Sequence, residues 1–146
     1  MNNHNNYIIA EIDIKDENVN KDIRIINSYE EYMRKIFLSN EIKKELMNEE
    51  QIKQSEIRIN DQLIPFNYYY KFTQKGKYII KYFYNNYLTN TSYMFFGCSS
   101  LTNINLSNFN NNNVNDMSGI FWGCSSLKKE KIISKNNDIL NLFKNK

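Results

Sequence analysis

A chain of 146 residues with 41% apolar and 14% aromatic side chains can build one packed domain, or one domain with a short appended array, and global disorder is excluded. Its net charge of +3 is too mild to point to a polyanionic partner, and no run approaches the roughly 18 apolar residues that a membrane span needs. Residues 1–84 carry 13 basic and 13 acidic side chains and residues 85–146 carry 6 and 3, so the basic excess falls entirely in the C-terminal part.

Met1 to Asn6 is polar and no apolar run of signal-peptide length follows it, which speaks against a secretory signal and for a cytoplasmic, reducing setting over the cell surface. Asparagine supplies 26 residues, beside abundant Ile, Lys and Tyr. All four have A/T-rich codons, so the bias reads as genome composition.

Tyr7 to Ile14 alternates, with Ile8, Ala10, Ile12 and Ile14 on one face and Glu11 and Asp13 on the other, the pattern of a half-buried strand. Asp16-Glu17-Asn18 is a turn, and its carboxylates lack the glycine and oxygen ladder of a calcium loop. Ile23 to Ile26 predicts a second strand. Ser28-Tyr29-Glu30-Glu31 is a capping box, and behind it Tyr29, Tyr32, Met33, Ile36 and Phe37 form the apolar stripe of a helix reaching about Leu38. Asn48 is placed to cap another short helix before Ser55. Ile57 and Ile59 then alternate around Arg58, Asn60-Asp61 turns the chain, and Leu63-Ile64 returns to Pro65, which suits a strand end or edge. Tyr68, Tyr70 and Phe72 mark the next strand, and Lys77 to Tyr84 a long one with Tyr78, Ile80 and Tyr82 on one face.

Phe95-Phe96-Gly97-Cys98-Ser99-Ser100-Leu101 returns 26 residues later as Phe121-Trp122-Gly123-Cys124-Ser125-Ser126-Leu127. A repeat of this period signals stacked units that share a core. Leu101-Thr102-Asn103-Ile104-Asn105-Leu106 has the L-x-x-L-x-L form of a leucine-rich repeat strand. Short helices are expected from Asn90 or Thr91 and from Asn115 or Asp116, with the Asn run 110–113 as a turn. Trp122 takes the Phe96 position and is expected in the core. Cys98 and Cys124 recur at one position, and packed helices about 8–10 Å apart would hold them as separate buried thiols.

These segments, with Asn105 to Phe109 and Asn113 to Met117, resemble BspA-type leucine-rich repeats over about residues 88–134. That resemblance implies short parallel strands with helical turns behind them, and a role in surface display or interaction. The expected architecture is therefore α+β: an N-terminal, mostly β cap with one or two helices over residues 1–84, then a short leucine-rich repeat stack over 85–146. Lys77 to Tyr84 would be the first rung, beside Leu101 to Leu106. A C-terminal helix carrying Ile139, Leu140, Leu142 and Phe143 would close the stack.

The outward face of such a stack would carry Lys77 and Lys81 on the first rung, Asn103 and Asn105 on the second, and Lys129 and Lys131 on the third. These six residues are the candidate binding site for a protein partner with an acidic or polar surface. No nucleophile with a positioned base and no Cys/His set is present, so the sequence calls for no enzyme, cofactor or metal. The alternative is nucleic-acid binding through the lysine-bearing face and the tyrosines.

Overall fold

The computed structural model describes residues 4–36 and 42–142. In chain order its elements are β1 (Tyr7–Ile14), β2 (Asp22–Arg24), helix α1 (Tyr29–Ile36), helix α2 (Glu49–Ile52), β3 (Glu56–Ile59), β4 (Gln62–Ile64), β5 (Tyr69–Lys71), β6 (Gly76–Phe83), β7 (Leu101–Asn105), β8 (Ile132–Ile133) and helix α3 (Asn137–Leu142). Six strands form one sheet in the order β4-β3-β6-β1-β7-β8, while β2 and β5 pair separately. All neighbours are antiparallel except β7 and β8.

The alternation read from Tyr7 to Ile14 is the organising fact. Ile8, Ala10, Ile12 and Ile14 are buried, and the residues between them are half-buried on the opposite side. Across the sheet Ile59, Ile80, Ala10, Ile104 and Ile132 follow one another from β3 to β8, none more than 6% exposed. Burying a row of this kind stabilises by roughly 1.5–3 kcal/mol per large side chain. Ile25, Ile26, Phe95, Phe121 and both cysteines belong to the same core. Tyr82 edges the Phe95 ring at 5.4 Å and donates its hydroxyl to the Ile25 carbonyl at 2.5 Å.

Local signals translate directly. The Asn60-Asp61 turn joins β3 and β4 with φ of 48° and 67°, the left-handed pair that a two-residue hairpin requires. Ser28 Oγ accepts the Glu31 N–H at 3.1 Å, one half of the expected capping box. The Glu31 carboxylate turns instead to Arg24, 3.1 Å away in a mostly buried ion pair. Along α1 Tyr29 and Met33 are buried and Tyr32 half-buried, but Ile36 is 50% exposed, so the stripe ends before its expected length. Phe37, Leu38 and Phe143 lie outside the described residues.

The expected stack of parallel rungs is overturned. The chain forms a mixed sheet, and β1 lies between β6 and β7, so Lys77 to Phe83 never neighbours Leu101 to Asn105. β1 pairs along its whole length with β6 and from Ile9 to Ile12 with β7. It reaches that slot from the far N-terminus, a pairing invisible to a 26-residue offset. Parallel pairing among the sheet strands is confined to β7 with β8. There the offset would set Glu130 opposite Ile104. A 3-10 turn at Lys129–Lys131 instead brings Ile132 opposite Ile104, so an apolar side chain enters the core. Lys129 and Lys131 therefore sit on that turn and not on a strand.

The two copies of the repeat motif are not helices either. Their N–H groups alternate. Those of Met94, Phe96 and Cys98 bond three residues back, to Thr91, Tyr93 and Phe95, as do those of Ile120, Trp122 and Cys124 in the second copy. Those of Thr91, Tyr93, Phe95 and Gly97 reach across to Asp116, Ser118, Ile120 and Trp122 at 2.8–3.0 Å. An α-helix cannot spare donors in this way. The left-handed φ values of Tyr93 (60°), Gly97 (74°), Gly119 (63°) and Gly123 (75°), each pair 26 residues apart, break it at matching points.

Candidate functional site

The face of the sheet away from the core carries a second set of rows. Leu63, Arg58, Lys81, Ile9, Asn105 and Ile133 follow one another across all six strands. Beside that row run Ile79, Glu11 and Asn103. Leu63 and Ile133 are 58% and 55% exposed and Ile79 36%, so this face places apolar side chains in solvent. Isolated exposed apolar residues are ordinary on a protein surface. Leu63 stands alone at the β4 edge, but Ile79 and Ile133 line one groove with Ile9, and an apolar patch shared in this way marks an interaction site.

The six sequence candidates are divided by this geometry. Lys77 and Lys81 lie on β6, Asn103 and Asn105 on β7, and β1 intervenes. Asn103, Asn105 and Lys131 come together around a groove of about 420 Å³, floored by Ile9, Ile79 and Ile133 and flanked by Glu11 and Glu130. Lys129 is exposed but does not line it.

Glu11 is the residue that sequence reasoning missed. Its carboxylate accepts a hydrogen bond from Asn103 Nδ2 at 3.1 Å and lies 3.8 Å from Lys77 Nζ, linking the two candidate strands. The signal was present, since alternation puts Glu11 outward, but nothing in the sequence says which strands flank it. Lys81 in turn meets Asp61 at 3.1 Å, and Arg58 meets Glu56 at 2.7 Å. Carboxylates thus interleave with the cations, and the face carries both signs.

A second polar cluster joins α1 to α2. Glu30 Oε2 accepts the N–H groups of Asn48 and Glu49, each at 3.0 Å, at the start of α2. Asn48, 2% exposed, accepts from Tyr29 N–H at 2.9 Å and donates to the Ser92 and Asn90 carbonyls at 2.8 and 3.3 Å. Glu49 binds Arg34 Nη2 and the Tyr68 hydroxyl, both at 2.5 Å, with Lys53 Nζ 3.5 Å away. The Arg34 bond chiefly, helped by Tyr68 and Lys53, pulls the Glu49 carboxyl down to about 2. Burial and the Glu49 bond push the Tyr68 phenol up. A carboxylate held this firmly ionised and a phenol held neutral do not make a base near pH 7. The cluster ties two helices and the first repeat turn together.

Trp122, expected in the core, is 40% exposed and edges Tyr93 at 5.9 Å, while Tyr93 stacks on Tyr32 at 4.2 Å. Cys98 and Cys124 are buried thiols, and Cys124 Sγ donates to the Phe95 carbonyl at 3.0 Å. Among the described residues no group of three or more His, Cys, Asp or Glu is gathered for a metal, and no helix is long and apolar enough to cross a membrane. No protein-family model matches the chain, and neither a curated protein nor a solved structure matches it.

Proposed function

We propose that this chain is a non-enzymatic protein-interaction module and that the outward sheet face is its docking surface. The observation that carries the reading is the apolar floor of Ile9, Ile79 and Ile133, open to solvent and bordered by Lys131, Asn103 and Asn105. Lys81 stands next to Ile9 in the same row. The occupant that fits is a protein segment presenting an apolar side chain flanked by acidic or amide groups. The apolar group fills the floor, and the flanking groups meet Lys131, Lys81 and Asn105. Such an arrangement, an apolar centre inside a polar rim, is the anatomy of a protein–protein contact. The resemblance of the two repeat copies to BspA-type repeats, whose members serve commonly in surface display and interaction, is in keeping with it. For a nucleic acid, Glu11, Asp13, Glu56 and Glu130 would face the phosphates.

The test places a photo-crosslinking residue at position 79, at 133, or at 75 as a control away from the groove. The expected result is one protein crosslinked from 79 and 133 and not from 75. That protein, purified, should bind the native chain and bind the Ile79→Glu/Ile133→Glu variant at least tenfold more weakly, with the variant's melting transition retained. Equal binding by the variant, or crosslinks from position 75 only, would overturn the proposal. A product abolished by nuclease would replace it with nucleic-acid binding.

A further inference from the structure

At the end of the sheet where β7 and β8 finish, a separate groove of about 620 Å³ opens between the loops after each strand. This lies inside the range of roughly 300–1,000 Å³ typical of small-molecule sites. Its lining is unusual in kind: seven of its twelve residues are asparagine, two are serine, Lys135 is the one charged residue, and none is a carboxylate. Asp138, Glu130 and Asp116, the acidic residues nearest in sequence, do not line it.

The hydrogen bonds already made bias what remains. Asn110 Oδ1 accepts the Asn112 N–H at 3.0 Å, and Asn136 Oδ1 accepts the Asp138 N–H at 2.8 Å. A backbone N–H can only donate, so in both side chains the oxygen is the bound end and the Nδ2 end is left to donate elsewhere. Ser134 is used in both senses within its own turn, accepting from Asn136 N–H at 3.0 Å and donating to the Asn136 carbonyl at 3.3 Å. The wall is also anchored from below, since buried Asn6 accepts the Asn110 N–H at 2.7 Å. At Asn110 and Asn136 the unspent capacity is thus a donor, beside one ammonium and with no carboxylate in the lining. Its complement is a compact group rich in acceptors and negatively charged.

We propose that this groove binds a tetrahedral oxyanion, a phosphate or sulfate group, either free or carried on a small molecule. Lys135 supplies the charge, and the Nδ2 groups of Asn110 and Asn136 supply directed donors. The site is independent of the sheet face and stands whether or not a protein docks there.

Calorimetric titration of the native chain at low ionic strength with inorganic phosphate, inorganic sulfate and glucose 6-phosphate tests it. Saturable one-to-one binding of inorganic phosphate or sulfate is expected. Tighter binding of glucose 6-phosphate assigns the ligand to phosphorylated small molecules, and equal binding assigns it to the free anion. The Asn110→Asp/Asn136→Asp variant keeps an oxygen for each turn but replaces both donors with charge, so affinity should fall at least tenfold. Lys21→Gln/Lys75→Gln changes net charge equally at a distance and should retain affinity. Three outcomes would overturn the site: no heat with any of the probes, unchanged affinity in the asparagine variant, or equal loss in the distant-charge control, which would mean an adventitious ion only.

Discussion

Gly97 and Gly123 hold φ of 74° and 75° at equivalent points of the two repeat turns, yet their surroundings differ. A methyl group at Gly97 would meet nothing closer than Arg24 Cδ at 3.9 Å, whereas one at Gly123 would sit 3.1 Å from the Gly97 Cα. The same left-handed strain therefore applies at both sites, and only Gly123 adds a tight contact with backbone. Gly97→Ala should cost about 1 kcal/mol and Gly123→Ala about 2–3 kcal/mol. Urea midpoints of the two variants measure the difference, and a larger loss at Gly97 would show that the two turns are not in backbone contact. Tyr93 makes the same point in reverse. It occupies the left-handed position that glycine fills at 119, and its ring comes within 2.8 Å of the point where a methyl carbon on Gly119 would stand. Only the absence of a side chain at 119 lets that ring stay against Tyr32.

Between the helices, the Glu49 cluster sets a pH dependence whose sign follows from its partners. The Arg34 and Tyr68 bonds hold the folded carboxyl at about 2, below the ordinary value of 4.5. A depressed folded value means that the stabilisation is fully present above about 4.5 and is lost as pH falls from there toward 2. Glu49→Gln removes the charge but keeps an acceptor. The gap in urea midpoint between native chain and variant should be widest at neutral pH and narrow steadily below pH 4.5. A gap that did not change with pH would show that Glu49 acts as a spacer and not as an ion. The helix start itself was legible, because Ser28 and Glu31 stand at capping distance in any α-helix. Glu31's turn toward Arg24 was not, since β2 comes beside α1 only in the folded chain.

At the scale of the molecule, the sheet order decides which side chains can act together. Position 103 has Glu11 as its direct neighbour, while Lys77, its partner by the 26-residue offset, lies on the far side of β1. Two strand spacings come to about 9.6 Å, beyond the roughly 7 Å that a disulfide spans between Cα atoms. Mild oxidation should therefore join the cysteines of a Glu11→Cys/Asn103→Cys variant and leave those of Lys77→Cys/Asn103→Cys reduced. The opposite pattern would restore the direct β6–β7 contact and with it a continuous lysine face. The same order explains the fate of the candidate site. Asn103, Asn105 and Lys131 fall around one groove because β7 and β8 are adjacent, whereas Lys77 and Lys81 lie on β6 beyond β1 and do not line it.

What the amino-acid order determined alone was everything decided within a few residues or by strict periodicity. The outward and inward faces of Tyr7 to Ile14, the turn at Asn60-Asp61, the Ser28 cap and the recurrence of the Gly-Cys turns belong here. Each depends on local dihedral preference or on the two-residue period of a strand, and both are written in neighbouring side chains. The insertion of β1 between β6 and β7, the two-residue slip that seats Ile132 opposite Ile104, and the gathering of asparagines at the end of β7 and β8 were decided only in three dimensions. Strand edges offer the same backbone donors and acceptors whatever their sequence. Which edges meet is therefore set by how the whole set of apolar faces closes over one core.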